Sequence, residues 1–116
     1  MKYFFRFDAL EQFAFGPNVT SSVGSKVPGK RMIVGLARKA SGTGSKPHKH
    51  NVEQFNYMLQ GTAHAVIGDE EKNVGPGDLV YIPADLVHTI TATGTEEVVF
   101  LTVKDCFNEF KVELVG

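Results

Sequence analysis

The sequence predicts a single all-β domain, a sandwich or barrel closed as a jelly roll, with only minor helical turns. Three observations point there. Beyond residue 18 the chain is written in Val, Ile, Thr, Tyr and Phe, in short runs broken by Gly, Pro, Ser, Asp and Asn, which is the vocabulary of strands and turns. Seven or eight such runs follow one another closely, the spacing of strands joined by turns. At 116 residues there is room for one core, and 42% hydrophobic with 22% charged residues excludes a disordered or membrane-spanning chain.

The strands are expected near 19–25, 31–39, 53–59, 62–67, 79–82, 88–93 and 98–104. Turns are expected at Pro28-Gly29, Ser41 to Gly44, Gln60-Gly61, Gly68-Asp69, Gly75 to Asp78 and Gly94-Thr95, where Gly, Pro and Asp supply the required backbone angles. Helical turns are confined to 8–13 and 105–110. Arg6 and Asp8 interrupt the apolar N-terminus before it reaches the roughly 7–15 residues of a secretory core. With no long apolar run and a single cysteine, Cys106, the expectation is a cytoplasmic protein without a membrane segment or disulfide. No repeat or low-complexity linker divides residues 1–116.

Formal net charge is −1, which argues against nucleic acid as a partner. The average hides a segregation. No acidic residue lies between Glu11 and Glu53, whereas Lys26, Lys30, Arg31, Arg38, Lys39, Lys46 and Lys49 all do. These cations either pair with acids from the C-terminal half or line a cavity that attracts a small anion.

The chemistry-bearing residues cluster in two segments. In an extended chain His48 and His50 point to one side and Gln54 keeps that parity. The second segment, Gly77 to His88, ends in another histidine at the start of a strand. If the strands meet, three imidazoles and an amide oxygen surround one point, a donor set for a transition metal with positions left for substrate. His64 fits neither segment and is read as structural. Glu53 should face away from Gln54.

In Gly42, His48, His50, Gly61, Gly77, Pro83 and His88 the chain resembles the two motifs of the cupin superfamily, the first at 42–61 and the second at 77–92. The fifteen residues from Thr62 to Pro76 match the short spacing of compact members. The resemblance covers about 31–104 and implies a double-stranded β-helix barrel holding one divalent metal per chain (Ni, Zn, Fe or Mn) and commonly forming a homodimer. Gln54 stands where most cupins have Glu, Asp85 where the second motif has Gly, and Ala92 where it has Asn. A neutral amide leaves the ion one unit more positive, which favours Lewis-acid over redox chemistry.

The His-His-Gln-His set is similar to the small cupins of the pectin-degradation, KdgF-type group, which open 4,5-unsaturated uronates to linear ketones. The resemblance assigns His48, His50, Gln54 and His88 to metal and Asp105 to proton transfer. Phe107 would pack on the sugar, and Lys111, Arg31 or Arg38 would hold the carboxylate. Arg38 shares parity with Val34 and Leu36, so it is the better cavity residue if that face is inward. The same 105–111 stretch also reads as a solvated turn with Phe107 and Phe110 covering the barrel base. Cys106 reads as an inert thiol. A cupin-type dioxygenase and a non-catalytic small-molecule-binding module remain alternatives, because the fold hosts many activities.

Overall fold

In the computed structural model, which describes residues 2–116 and so leaves Met1, the first residue of the expected domain, outside the described residues, the chain is almost entirely β. The strands are β1 (Phe13–Ala14), β2 (Val23–Pro28), β3 (Met32–Lys39), β4 (His48–His50), β5 (Gln54–Gln60), β6 (Ala63–Ile67), β7 (Glu70–Val74), β8 (Leu79–Ile82), β9 (His88–Ala92), β10 (Val98–Asp105) and β11 (Val112–Leu114). They form two antiparallel sheets in the jelly-roll arrangement. One has six strands in the order β1-β2-β3-β10-β5-β8 and the other five in the order β11-β4-β9-β6-β7.

Alternation of side chains decides which residues meet between the sheets. Along β5, Gln54, Asn56 and Met58 are buried while Phe55, Tyr57 and Leu59 are exposed. Along β10, Val98, Phe100 and Thr102 face inward. With Ala37, Ala63, Ala65, Val74, Val80, Ile82, Ile90 and Ala92, the inward-facing apolar residues make one continuous core. Burying each of its Val, Ile, Met and Phe side chains stabilises by roughly 1.5–3 kcal/mol.

Turn chemistry fixes the register. Gly61 leaves β5 with φ 78°, and a Cβ there would lie 2.7 Å from the Glu97 carbonyl oxygen, so only glycine fits. Asp78 closes the turn before β8 by accepting the Gly75 N–H on Oδ2 at 2.8 Å. Asp85, at the expected glycine position of the second motif, adopts φ 64°, a conformation that a short polar side chain tolerates. Its N–H donates to the His50 carbonyl at 2.7 Å, tying the two motif segments together.

Several elements differ from the sequence expectation. The strand expected from residue 19 begins at Val23: residues 17–19 form a turn closed by the Val19 and Thr20 N–H groups donating to Gly16 O, and Thr20 makes only an isolated bridge to Ser45. The helical turn expected at 8–13 is a 3-10 turn over Phe7–Ala9. None forms at 105–110: Asp105 ends β10 and its Oδ1 accepts the Phe107 N–H at 2.8 Å, which competes with helix. The strand β7, Glu-Glu-Lys-Asn-Val, has no apolar alternation because it is a solvated sheet edge, and β11 is likewise exposed along its length. No helix among the described residues is long and apolar enough to cross a membrane.

Candidate metal centre

Two short elements bring the histidines together. The strand β4 is His-Lys-His, with both histidines buried on one side and Lys49 between them facing out to Glu113 at 3.6 Å. His48 is in register with His88 at the start of β9. The ring centroids are 4.2 Å apart for His48 and His88, 4.8 Å for His50 and His88, and 5.9 Å for His48 and His50. One nitrogen from each lies within 4.8 Å of the others, so the three can hold a metal ion.

The backbone sets their tautomers. Nδ1 of His48, His50 and His88 lies 2.6, 2.8 and 2.9 Å from the carbonyls of Lys46, Val52 and Leu86, in each case two residues away. A carbonyl only accepts, so each Nδ1 carries the proton and each Nε2 presents a bare lone pair. Burial pushes all three imidazoles toward the neutral form, His88 to about 4, opposed by the same backbone bonds.

Gln54 completes the set. Its Nε2 donates to Asn56 Oδ1 at 2.8 Å and Thr102 Oγ1 at 2.9 Å, which turns Oε1 toward His50 Nε2, 3.0 Å away. Two acceptors therefore face each other with no proton between them. A cation resolves this, and about 3 Å is the separation of adjacent donors sharing an ion at roughly 2.1 Å. The donor set fits a divalent transition metal.

The histidines line a cavity of about 90 Å³ that opens to solvent. Phe15, Ile82, Ile90, Phe100 and Phe110 supply apolar walls, and no carboxylate is among the lining residues. Two lysines are. Lys39, 3% exposed, donates to Thr20 Oγ1 at 2.6 Å, and Lys104 stands 5.1 Å from the Phe110 ring centroid. Both amines are lowered to about 8, Lys39 by burial and Lys104 by burial first, with repulsion from Lys26 and Lys39 contributing. Neither lysine has an acidic partner within 4.0 Å among the described residues.

The remaining sequence-nominated residues lie elsewhere. Arg38 is a correction: the inward parity of β3 belongs to Gly35, Ala37 and Lys39, so Arg38 faces out and meets Glu97 at 3.7 Å and Gln12 at 3.2 Å. Arg31 is exposed and packs over Phe107, 4.8 Å from its ring centroid, so these two occupy each other outside the cavity. Asp105 has the opposite parity to the cavity-lining Lys104. Lys111 is exposed and does not line the cavity. His64 stands apart, 2.8 Å from Asn73 Oδ1 and 3.5 Å from Glu71, which together raise its pKa. Glu53 is exposed and accepts the Tyr81 hydroxyl at 2.9 Å. Cys106 is a free thiol, its Sγ 3.7 Å from Gly29 O.

Sequence reasoning named Lys39 only as one of seven cations in a basic stretch, and missed Lys104. The signal was present in the parity of β3 and β10, since Lys39 alternates with Ala37, and Lys104 with Thr102 and Phe100.

Comparison with known proteins agrees with this architecture. The family model described as a cupin domain matches residues 35–104. No curated protein matches the chain. Among solved structures, a cupin-2 domain from Rhodospirillum rubrum superposes with a TM-score of 0.82 at 21% identity, covering 100% of this chain and 82% of its own. The polyketide cyclase RemF from Streptomyces resistomycificus gives 0.85 at 22% identity, covering 100% and 87%. KdgF from Halomonas sp. gives 0.78 at 18% identity, covering 90% and 94%. At these identities the likeness is one of fold.

Proposed function

Because the chain belongs to the cupin domain family, and its cavity joins a neutral His-His-Gln-His donor set to two lysines, we propose that it is a metal-dependent isomerase of small anionic sugars. Its reaction is the opening of 4,5-unsaturated uronates to linear ketones. The carrying observation is a cavity lined by one buried and one half-buried amine, with no carboxylate in its lining. Such a cavity favours an anion and stabilises negative charge that develops inside it.

The reaction conserves atoms. The anomeric hydroxyl loses a proton as the bond between C1 and the ring oxygen breaks, giving an aldehyde. The ring oxygen departs as an enolate, and C4 takes a proton to complete the ketone. His48, His50, Gln54 and His88 would hold the metal, which supplies Lewis-acid stabilisation of substrate oxygens when bound. Lys104, half-buried beside Phe110, pairs with the uronate carboxylate as a point charge. Lys39, with an amine near neutrality and bonded to Thr20, gives a proton to C4 and recovers one from the anomeric hydroxyl. These roles replace those first expected of Asp105 and Lys111.

Loss of the ultraviolet absorbance of freshly prepared unsaturated uronate tests the reading. Metal-loaded wild type should accelerate it, His48→Ala should not, and Lys104→Met should raise KM. No acceleration by the loaded wild type overturns it.

The aromatic and aliphatic walls favour a second reading, an apolar ring substrate closed or isomerised through an enolate, in keeping with the structural likeness to RemF, a polyketide cyclase. Retained turnover of a neutral aromatic polyketide in Lys104→Met would select it. The outer face of the six-stranded sheet, where Met32, Phe55, Tyr57, Leu79 and Tyr81 are each at least 40% exposed, supports assembly as a homodimer. Sedimentation equilibrium tests this, and the lone free thiol suits a cytoplasmic setting.

A further inference from the structure

The residue after the second cluster histidine makes three hydrogen bonds to one short piece of the C-terminal segment. Asn51 donates through Nδ2 to the Glu109 carbonyl at 2.8 Å and accepts the Lys111 N–H on Oδ1 at 2.7 Å. Its backbone N–H donates to the Lys111 carbonyl at 3.1 Å. The three bonds bracket Phe110, whose flanking peptides are thereby fixed.

Little else holds this stretch. Phe107, Asn108, Glu109 and Lys111 are exposed, so apolar burial contributes little between β10 and β11. The ring of Phe110 nevertheless has a defined seat, with its centroid 5.6 Å from that of His50. It lines the cavity and is 48% exposed, with one side toward the cavity and the other toward solvent. Two residues on, Val112 pairs with His50 in the β11–β4 ladder, so clamp, ring and metal-binding strand form one connected unit.

We infer that Phe110 is a wall of the metal cavity that limits what reaches the histidines, and that Asn51 is the positioning residue that keeps it there. The ligand class that suits the opening carries a flat or ring face for Phe110 and a negative charge for Lys104. That last point rests on the proposed anionic substrate, whereas the wall and its clamp do not.

Carbethoxylation of the metal-free protein by diethyl pyrocarbonate, followed peptide by peptide, tests the inference with the exposed His64 as internal reference. Phe110→Ala and Asn51→Ala should each raise the His50 rate relative to His64 by about fivefold or more, and Phe110→Tyr should hold it near wild type. Hydrogen exchange separates the two roles. Asn51→Ala should lose protection across 109–112 while Phe110→Ala keeps it, and Asn51→Asp, which retains only the acceptor for Lys111, should fall between. Circular dichroism identifies any variant that has lost the fold, and Asn51→Asp and Phe110→Leu then stand in for it. An unchanged His50 rate in the Phe110 variant overturns the wall. Looser exchange without a faster His50 in the Asn51 variant overturns the positioning role. A cobalt(II) titration of the wild type reports on the metal centre separately, so failure there leaves these outcomes readable.

Discussion

The two halves of the barrel interior are built from the same strands and differ in what they bury. Along β10, Val98 and Phe100 belong to the apolar core, while Thr102 and Lys104, on the same face, belong to the polar end. The same change runs along β5 from Met58 to Asn56 and Gln54, and along β9 from Ala92 and Ile90 to His88. Parity decides whether a residue faces inward, and position along the strand decides which kind of interior it meets. The apolar half needs only shape and volume. The polar half needs each buried donor and acceptor matched, and here Asn56, Thr102 and three backbone carbonyls do the matching.

If the halves are this distinct, substitutions should separate metal binding from stability. His88→Ala should have the largest effect, taking bound metal from about one ion per chain to below about 0.1, since two imidazoles and an amide hold a divalent ion poorly. Metal analysis after equilibrium dialysis reads this directly, and full occupancy would break the comparison.

Met58→Ala probes the other half. Met58 is 1% exposed in the core, and truncation should cost about 2–5 kcal/mol in urea unfolding while leaving metal content per folded chain unchanged. Gly61→Ala should cost about 1–3 kcal/mol, from its left-handed backbone and the approach to Glu97 O. A wild-type unfolding midpoint would contradict the strain.

The smallest effect sharpens the electrostatics. Burial depresses the Lys39 amine to about 8 from 10.5, so between these values the unfolded chain binds the extra proton and the folded one does not. Stability should therefore rise with pH from about 8 to 10.5, and the penalty is fully present below about 8. Lys39→Met should flatten that rise in denaturation midpoints measured across the window; an identical slope in both proteins would show that Lys39 is solvated.

Much of this architecture is legible in the sequence. Short runs of β-branched, aromatic and other apolar residues located β3, β5, β6, β8, β9 and β10, because each has a face that must be buried. Edge strands hid: β7 has no apolar face to reveal it, and β11 is defined by its ladder with β4. At the site, the two-residue spacing of His48 and His50 announced a shared face, whereas the choice between Arg38 and Lys39 turned on which face of β3 was inward. Adjacent residues of one strand carry the same charge to opposite sides, and sequence alone leaves that sign undetermined.

The sequence by itself determined an all-β chain, the turn positions and a histidine set with the spacing of a metal centre, because these follow from local backbone preference and side-chain alternation. Tertiary structure decided the rest: the register that puts His88 beside His48, the inward turn of Lys39 and Lys104, and the exclusion of Asp105, Phe107 and Lys111 from the cavity. Such facts depend on which strands pair and on which side of each sheet faces the other, and those are settled by burial summed over the whole barrel rather than by any segment alone.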